Sequence, residues 1–242
     1  MKAVLLACSG IAALIAASAD ANAGGFYVRE QSAFGQGSSF AGVAAGGSLS
    51  SMFWNPATMT QVPGIQSEAV LSGIMPYAAN TPGAGSVLAG APFFLGGTGD
   101  TATDALVPSA YFSWQFKPNL WLGLSINSPF GLSTGFPDNW AGRLYAESSS
   151  LKTYNATPSF AYQINNWLSI GGGVQIQYAK ADVGFGLAAG GPPGLGQILN
   201  IAGNGWGYGF TAGVTVTPTP TTTIGLGWRS GINQKISGSL NI

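Results

Sequence analysis

The chain has 242 residues, carries 8 basic and 8 acidic side chains, and contains no histidine. Only 7% of its residues are charged, against roughly 25% in an average soluble domain, so the composition argues against a soluble fold and against nucleic-acid binding. The absence of histidine excludes a Ser-His-Asp site and removes the commonest metal ligand, and we predict neither an enzyme nor a cofactor or metal site.

Residues 1–23 have the three parts of a secretory signal peptide. Lys2 gives a charged start, an apolar stretch follows, and Ala21-Asn22-Ala23 has the small-x-small pattern of a cleavage site. The alternative is a lipoprotein signal, because Leu5-Leu6-Ala7-Cys8 resembles a lipobox, although it would leave a very short apolar region before the cut. We therefore expect an exported protein that begins at about Gly24 and lacks Cys8, the only cysteine.

Residues 24–64 are rich in glycine and serine and end soon after Phe53-Trp54-Asn55-Pro56-Ala57. The segment includes the polar residues Glu30, Gln31, Ser32 and Gln36. It is too polar to cross a bilayer and too rich in glycine to build a core of its own. We expect it to form a plug that a surrounding wall keeps ordered.

From residue 65 onward, several segments alternate between apolar and small polar residues. In 109–116, apolar Ala110, Phe112, Trp114 and Phe116 alternate with Ser109, Tyr111, Ser113 and Gln115. This period of two is typical of a strand with lipid on one face and a lumen on the other. Outside the N-terminus, no run approaches the roughly 18 to 20 apolar residues that a membrane helix requires. The pattern predicts an all-β, transmembrane antiparallel β-barrel.

The predicted strands number seven: 66–76, 105–116, 120–130, 149–164, 167–182, 205–217 and 221–240. Short turns at 117–119, 165–166 and 218–220 alternate with long loops at 77–104, 131–148 and 183–204, which are typical of periplasmic turns and external loops. A soluble sandwich is the alternative, but its outward faces would need charges that these strands lack. Because single-chain bacterial barrels have even strand counts, we expect 65–242 to be the first half of a larger barrel.

The hatch-like start of the mature chain resembles a known family. The matching residues are Gly25-Phe26, Glu30-Gln31-Ser32, Gly35-Gln36-Gly37, Phe40-Ala41-Gly42 and Asn55-Pro56-Ala57. In this order they resemble the N-terminal hatch of the FadL-like outer-membrane transporters of long-chain fatty acids and hydrocarbons. The resemblance implies a monomeric barrel of fourteen strands in the outer membrane of a Gram-negative bacterium, in contact with bilayer and lipopolysaccharide, with 24–64 as the hatch inside the lumen.

The resemblance also implies a lateral gate, in which a kink in the third strand lies beside Asn55, Pro56 and Ala57. Here the kink would fall at Ser128-Pro129-Phe130-Gly131. Proline cannot donate to a sheet ladder and glycine has no side chain to pack, so these residues independently predict a broken ladder. The alternative is a strand that simply ends there and enters a loop. We expect Asn55 to satisfy backbone groups left open by the kink.

By the same resemblance, hydrophobic compounds would bind to external loops, pass to a lumen pocket near the mature N-terminus, and leave sideways. The candidate ligand-binding residues are Gly24, Gly25, Phe26, Phe185, Leu187, Leu195, Ile198, Leu199 and Arg229. A short amphipathic helix near 195–201 would offer an apolar groove; the alternative is a glycine-rich loop with incidental apolar residues. The alternative function is a plugged structural or adhesive barrel with no transported ligand.

One residue departs from the pattern of the fatty-acid transporters. Those members have a basic residue where this chain has Phe185. The alternation places Lys180 on the outer face and Arg229 on the inner one. We therefore expect a preference for neutral hydrocarbons or aromatic compounds over fatty acids.

Overall fold

The computed structural model describes residues 27–83, 87–88, 91–92, 97–137, 140, 142, 145–186 and 198–241. Its strands are β1 (Ile65–Ile74), β2 (Val87–Leu88), β3 (Ala91–Pro92), β4 (Ala105–Lys117), β5 (Leu120–Asn127), β6 (Gly131–Gly135), β7 (Ser148–Asn165), β8 (Leu168–Gly186), β9 (Ile198–Thr219), β10 (Thr222–Arg229) and β11 (Ser237–Asn241). Within these ranges, no helix is long and apolar enough to cross a membrane.

One antiparallel sheet forms the wall, in the order β1-β4-β5-β7-β8-β9-β10. Two short strands lie off this path: β6 pairs with β7, and β11 pairs with β9. The wall therefore has seven strands in sequence order, in which β5 with β6 makes the third and β10 with β11 makes the seventh. The prediction of seven antiparallel strands with tight turns at 117–119, 165–166 and 218–220 is confirmed, and the structure places these turns at 118–119, 166–167 and 220–221.

The burial pattern of the wall is the reverse of that in a soluble sheet. On β4, Ser113 is fully buried and Tyr111 is 2% exposed, whereas Trp114 on the opposite face is 41% exposed. On β8, Gln175 is buried and Val174 is exposed in the same way. The polar inner face is covered by the rest of the chain and the apolar outer face is bare, as expected for a wall whose outer face meets lipid.

The structure corrects three predicted boundaries. β9 begins at Ile198, seven residues before the predicted start, so the helix predicted near 195–201 is wrong for 198–201; residues 195–197 lie outside the described part. Leu199 pairs with Phe185 in the β8–β9 ladder, which satisfies the backbone groups of both strands. The predicted strands 120–130 and 221–240 are each interrupted, at 128–130 and at 230–236.

Residues 27–64 carry short helices and lie against the inner face of the sheet. They are α1 (Ala33–Gly37) and the 3-10 helices η1 (Val43–Ala45), η2 (Leu49–Phe53) and η3 (Pro56–Gln61). Leu49, Met52, Phe53 and Met59 form a core with the wall residues Val70, Tyr111, Trp121 and Ala161. We call residues 24–64 the hatch.

A carboxylate of the wall fixes the start of η2. Glu68 Oε2 on β1 accepts hydrogen bonds from Ser48 Oγ at 2.7 Å and from Ser50 N at 2.9 Å. The free N–H groups at the start of a helix favour such an anion. The hatch is therefore held by polar contacts as well as by its apolar core.

Candidate functional site

The ladder between the second and third wall strands is broken at 128–130, which we call the strand break. The last β4–β5 pair is Ala110 with Ile126. Beyond the break, β6 pairs with β7 and not with β4. The first pair of this ladder is Gly131 with Lys152. The strand thus resumes after Pro129 instead of ending, and among the described residues the upper part of β4 pairs only with β1.

The first described residues of the hatch pair with the strand break. Val28 N donates to Pro129 O at 2.9 Å, and Tyr27 forms an isolated antiparallel bridge with Phe130. On the other side, Thr153 Oγ1 of β7 donates to Phe130 O at 2.6 Å and accepts from Phe130 N at 2.9 Å. These contacts satisfy backbone groups that an interrupted strand would otherwise leave unpaired in the wall.

The side chain of Gln31 joins the hatch to both edges of the strand break. It is fully buried. Its Nε2 donates to Ser128 O at 2.9 Å and to Val28 O at 3.2 Å. Its Oε1 accepts from Ser109 Oγ at 2.8 Å and from Asn127 Nδ2 at 3.3 Å. One amide group therefore connects β4, β5 and the hatch where the ladder between the two strands is lost.

A second layer of hydrogen bonds lies directly behind Gln31. The Tyr111 hydroxyl donates to Gln31 O at 2.6 Å and accepts from Asn127 Nδ2 at 2.8 Å. Asn127 is 1% exposed, and its Oδ1 has no hydrogen-bond partner within the described residues. The network is neutral throughout and leaves one buried acceptor unused.

Two cavities of about 400 Å³ each flank the strand break. The first is lined by inward residues such as Val107 and Thr153 and by outward residues such as Leu106 and Tyr154. It therefore has lining residues from both faces of the wall. The second is lined by Ser109, Asn127 and apolar residues of β1, β4 and β5, and both cavities have Ser128 in their lining.

Asn55, Pro56 and Ala57 contact a different part of the wall. Asn55 Nδ2 donates to Ala44 O at 2.7 Å and to Val214 O of β9 at 3.0 Å, and its Oδ1 accepts from Ala57 N at 3.0 Å. Both donors of this amide are used there. The prediction that Asn55 satisfies backbone groups of the kink is therefore wrong, because Val28 and Gln31 do so instead.

Three glycines receive this tripeptide. Gly171 of β8 pairs with Gly213 of β9, which pairs with Gly227 of β10. A Cβ atom on Gly171 would lie 2.6 Å from Ala57 N, and Cβ atoms on Gly213 and Gly227 would overlap Asn55 and Trp54. The row of glycines lets the hatch backbone approach the wall closely, which any side chain would prevent.

Arg229 faces the lumen, as predicted, and contacts the hatch. Its Nη1 donates to Phe53 O at 2.6 Å, its Nη2 donates to Gln175 Oε1, and its Cζ lies 4.2 Å from the centroid of the Phe53 ring. Lys180 lies on the outer face, where its ammonium is 3.6 Å from Asp182. The guanidinium of Arg229 is thus already engaged by neutral groups of the protein.

The remaining predicted ligand-binding residues lie elsewhere or outside the described part. Phe185 and Leu199 are paired near the upper ends of β8 and β9. Ile198 begins β9. Gly24, Gly25, Phe26, Leu187 and Leu195 are outside the described residues. The structure therefore assembles its best-defined site at the strand break and not around these residues.

The residues that complete this site were not predicted from the sequence: they are the backbone of Val28 and the side chains of Gln31, Ser109, Tyr111 and Asn127. Three of them show only as members of a polar strand face, and Gln31 only as one of several polar hatch residues. A usable signal was Asn127, because a polar inward residue directly before a predicted break needs a hydrogen-bond partner.

The sequence of residues 13–242 matches the family described as outer membrane protein transport protein (OMPP1/FadL/TodX). The long-chain fatty acid transport protein of Salmonella typhi is 35% identical over 122 residues, which cover 44% of this chain and 28% of that protein. Outer membrane protein P1 of Haemophilus influenzae strain Rd is 29% identical over 184 residues, which cover 71% of this chain and 39% of that protein. The chain spans less than half the length of either relative.

Two solved structures have a similar fold. A FadL homologue of Pseudomonas aeruginosa gives a TM-score of 0.67 at 22% identity, over 88% of this chain and 56% of that one. The toluene transporter TbuX of Ralstonia pickettii gives a TM-score of 0.57 at 18% identity, over 80% of this chain and 55% of that one. The fold of this chain is therefore similar to that of about half of each of these two larger chains.

Proposed function

The chain belongs to the OMPP1/FadL/TodX family of outer membrane transport proteins of Gram-negative bacteria, and on this premise we propose that it takes up hydrophobic compounds through the strand break. The ligand enters the lumen from outside, reaches the hatch, and leaves sideways between β4 and β6 into the outer leaflet. The observation that carries this proposal is the cavity at the break, because its lining includes residues of both faces of the wall.

The hydrophobic effect is sufficient to drive this route. An apolar compound moves from water to the apolar lining of the cavity, in which Leu106, Val107, Phe130, Leu132 and Leu151 take part, and then to lipid, so each step removes apolar surface from water. No coupling to an energy source is needed for net uptake down a gradient. The hatch segment 27–31, which spans the break, sets whether the route is open.

The charges near the lumen favour uncharged ligands. By the resemblance, Phe185 takes the position of a basic residue of the fatty-acid members, and the guanidinium of Arg229 is held by Phe53 O and Gln175. Arg229 is thus not available to an ionised carboxylate, and the described lining of the first cavity includes both the basic Lys152 and the acidic Asp104 in an otherwise mainly apolar surface, so that burying the charge there is costly. Neutral hydrocarbons and aromatic compounds fit the lining better.

A reversible crosslink across the strand break tests the route. Tyr27 and Phe130 face each other in an antiparallel bridge, which brings Cα atoms within the range that a disulfide needs. We expect the pair Tyr27→Cys and Phe130→Cys, when oxidised, to block uptake of radiolabelled toluene by proteoliposomes or expressing cells, and reduction with dithiothreitol to restore it.

A second bridge in the chain supplies the matched control. Ala79 and Asp100 also form an isolated antiparallel bridge, away from the break. Oxidation of Ala79→Cys with Asp100→Cys should leave uptake unchanged. If the crosslink at the break left uptake intact as well, the lateral route would be wrong; if neither the wild type nor any variant took up ligand, a plugged structural barrel would be the better function.

A further inference from the structure

The carboxamide of Gln31 occupies a site that is built for a planar group with a donor and an acceptor side. Ser109 Oγ and Asn127 Nδ2 donate to its oxygen, while the backbone oxygens of Ser128 and Val28 accept from its nitrogen. Every one of these partners is neutral. The site therefore has the hydrogen-bonding pattern of a receptor for an uncharged polar head group.

We propose that the Gln31 side chain is an internal substitute for the head group of a ligand, and that an uncharged head group with both a donor and an acceptor displaces it. A protonated carboxyl or a primary amide on a hydrocarbon tail has this chemistry. The proposal rests on the lateral route proposed above and adds to it a step for ligands that carry such a head group, in which the head group releases the hatch from the strand break.

The geometry lets the head group replace the hydrogen bonds that the Gln31 side chain makes to the wall. The carbonyl oxygen of a carboxyl or amide head accepts from Ser109 and Asn127, and its O–H or N–H donates to Ser128 O, which replaces the bonds made by Gln31. An ionised carboxylate has no donor for Ser128 O and would place a negative charge against that carbonyl. A hydrocarbon makes none of these bonds, so it does not compete with Gln31 and contacts only the apolar lining of the cavities.

The unused acceptor on Asn127 gives independent support. Both N–H groups of Gln31 are engaged, by Ser128 O and Val28 O, and Asn127 Oδ1 has no partner within the described part of the chain. When the hatch withdraws, Val28 O leaves with it. A primary amide then keeps one N–H for Ser128 O and has the second available for Asn127 Oδ1, so the ligand can satisfy an acceptor that Gln31 does not reach.

Space for a tail lies on both sides of this site. Ser128 and Val28 are in the lining of the first cavity, and Ser109, Asn127 and Ser128 are in the lining of the second. The lining of both is otherwise mainly apolar, including Leu71, Leu106, Pro108 and Ile126. A head group bound in place of the Gln31 amide can therefore extend its hydrocarbon chain along the break.

Equilibrium binding to the purified full chain in detergent micelles tests the inference. The probes are oleamide, which is uncharged, and 1-octadecene, which has the same tail length and no polar head. Because Gln31→Ala removes the internal competitor, we expect oleamide to bind about tenfold more tightly to this variant, roughly the value of one net hydrogen bond. Binding of 1-octadecene should change by less than about twofold.

Gln36→Ala is the matched control, because Gln36 is a hatch glutamine that donates to Ser72 at 3.4 Å and not to the break. It should leave both affinities unchanged. Equal changes for oleamide and 1-octadecene in Gln31→Ala, or no change for oleamide, would overturn the inference. A wild type that takes up toluene but shows no such head-group effect would overturn this inference alone, and the lateral route would stand.

A measurement on the wild type avoids any dependence on a variant that folds poorly. The infrared carbonyl band of bound oleic acid labelled with carbon-13 at its carboxyl group distinguishes the protonated acid from the carboxylate. We expect the bound acid to remain protonated at a pH at which the acid in empty micelles is ionised. A carboxylate band for the bound form would contradict the proposal.

Discussion

Arg229 contacts Phe53 in two ways: its guanidinium carbon lies 4.2 Å from the centroid of the Phe53 ring, and its Nη1 donates to Phe53 O at 2.6 Å. The same guanidinium donates to Gln175 on β8 of the wall. A single lumen-facing cation thus holds the end of η2 against the inner face of β8 and β10. This makes Arg229 an anchor of the hatch and not a free partner for a ligand carboxylate.

Replacing Arg229 with methionine should loosen the hatch. The variant keeps an apolar stem but loses the hydrogen bond to Phe53 O and the cation–π contact, which together correspond to about 2 kcal/mol of hatch docking; it also loses the bond to Gln175 within the wall. We expect faster cleavage of residues 27–64 by thermolysin, with unchanged mobility of the folded barrel on unheated gels. Lys180→Met, on the outer face, is the control. Equal protection of the hatch in all three proteins would show that Arg229 is not an anchor.

Gly213→Ala should displace the tripeptide 55–57 from the wall. The added methyl group would overlap Asn55 Oδ1, and overpacking of this kind costs about 1–3 kcal/mol. We expect a hatch that is digested more readily in a barrel that still assembles. Gly231→Ala is a suitable control because a Cβ atom there meets nothing within 4 Å. Similar digestion of both variants would argue against a close fit at Gly213.

Asn55→Asp should separate the two roles of this residue. The carboxylate can still accept from Ala57 N, but it cannot donate to Ala44 O and Val214 O, which Asn55 Nδ2 now reaches. Two carbonyls facing an anion destabilise the docked hatch by about 2–4 kcal/mol. We expect the hatch to unfold at a lower temperature than in the wild type. Amide hydrogen exchange of the hatch, measured over a range of temperatures, checks this. If exchange in 40–62 matched the wild type, the bonds to Ala44 and Val214 would be unimportant.

The affinity for a fatty acid should fall as the pH rises, whereas the affinity for toluene should not. The described residues that hydrogen-bond the Gln31 amide are all neutral, so ionising a fatty acid that takes its place removes the donor of the ligand and adds an unpaired charge. Calorimetric titration of oleic acid and toluene over a range of pH checks this. Oleate that binds more tightly than oleic acid would contradict the preference for neutral ligands.

The sequence was sufficient for the wall because the alternation of side chains is a local property. Trp114 and Phe112 can face only one side if Ser113 faces the other, and the lack of charge on the apolar side identifies lipid as its neighbour. Pro129 predicted the broken ladder for an equally local reason, since it has no N–H to donate. The early start of β9 was missed because its polar and glycine residues gave weak alternation.

The contents of the strand break depended on the tertiary structure. Gln31 and Ser128 are 97 residues apart in the sequence, and no local pattern indicates which hatch residue meets which carbonyl. The resemblance pointed to Asn55, yet the close approach that Gly171, Gly213 and Gly227 permit draws Asn55 to β9 and leaves the break to Gln31. The sequence alone determined a membrane β-barrel wall with an N-terminal hatch, and it predicted a break at 128–131 with a simple strand end as the alternative; the signal peptide stays a prediction. The packing of the hatch against glycines decided which of its amides closes the interruption, because each buried amide must find partners where the backbone brings it.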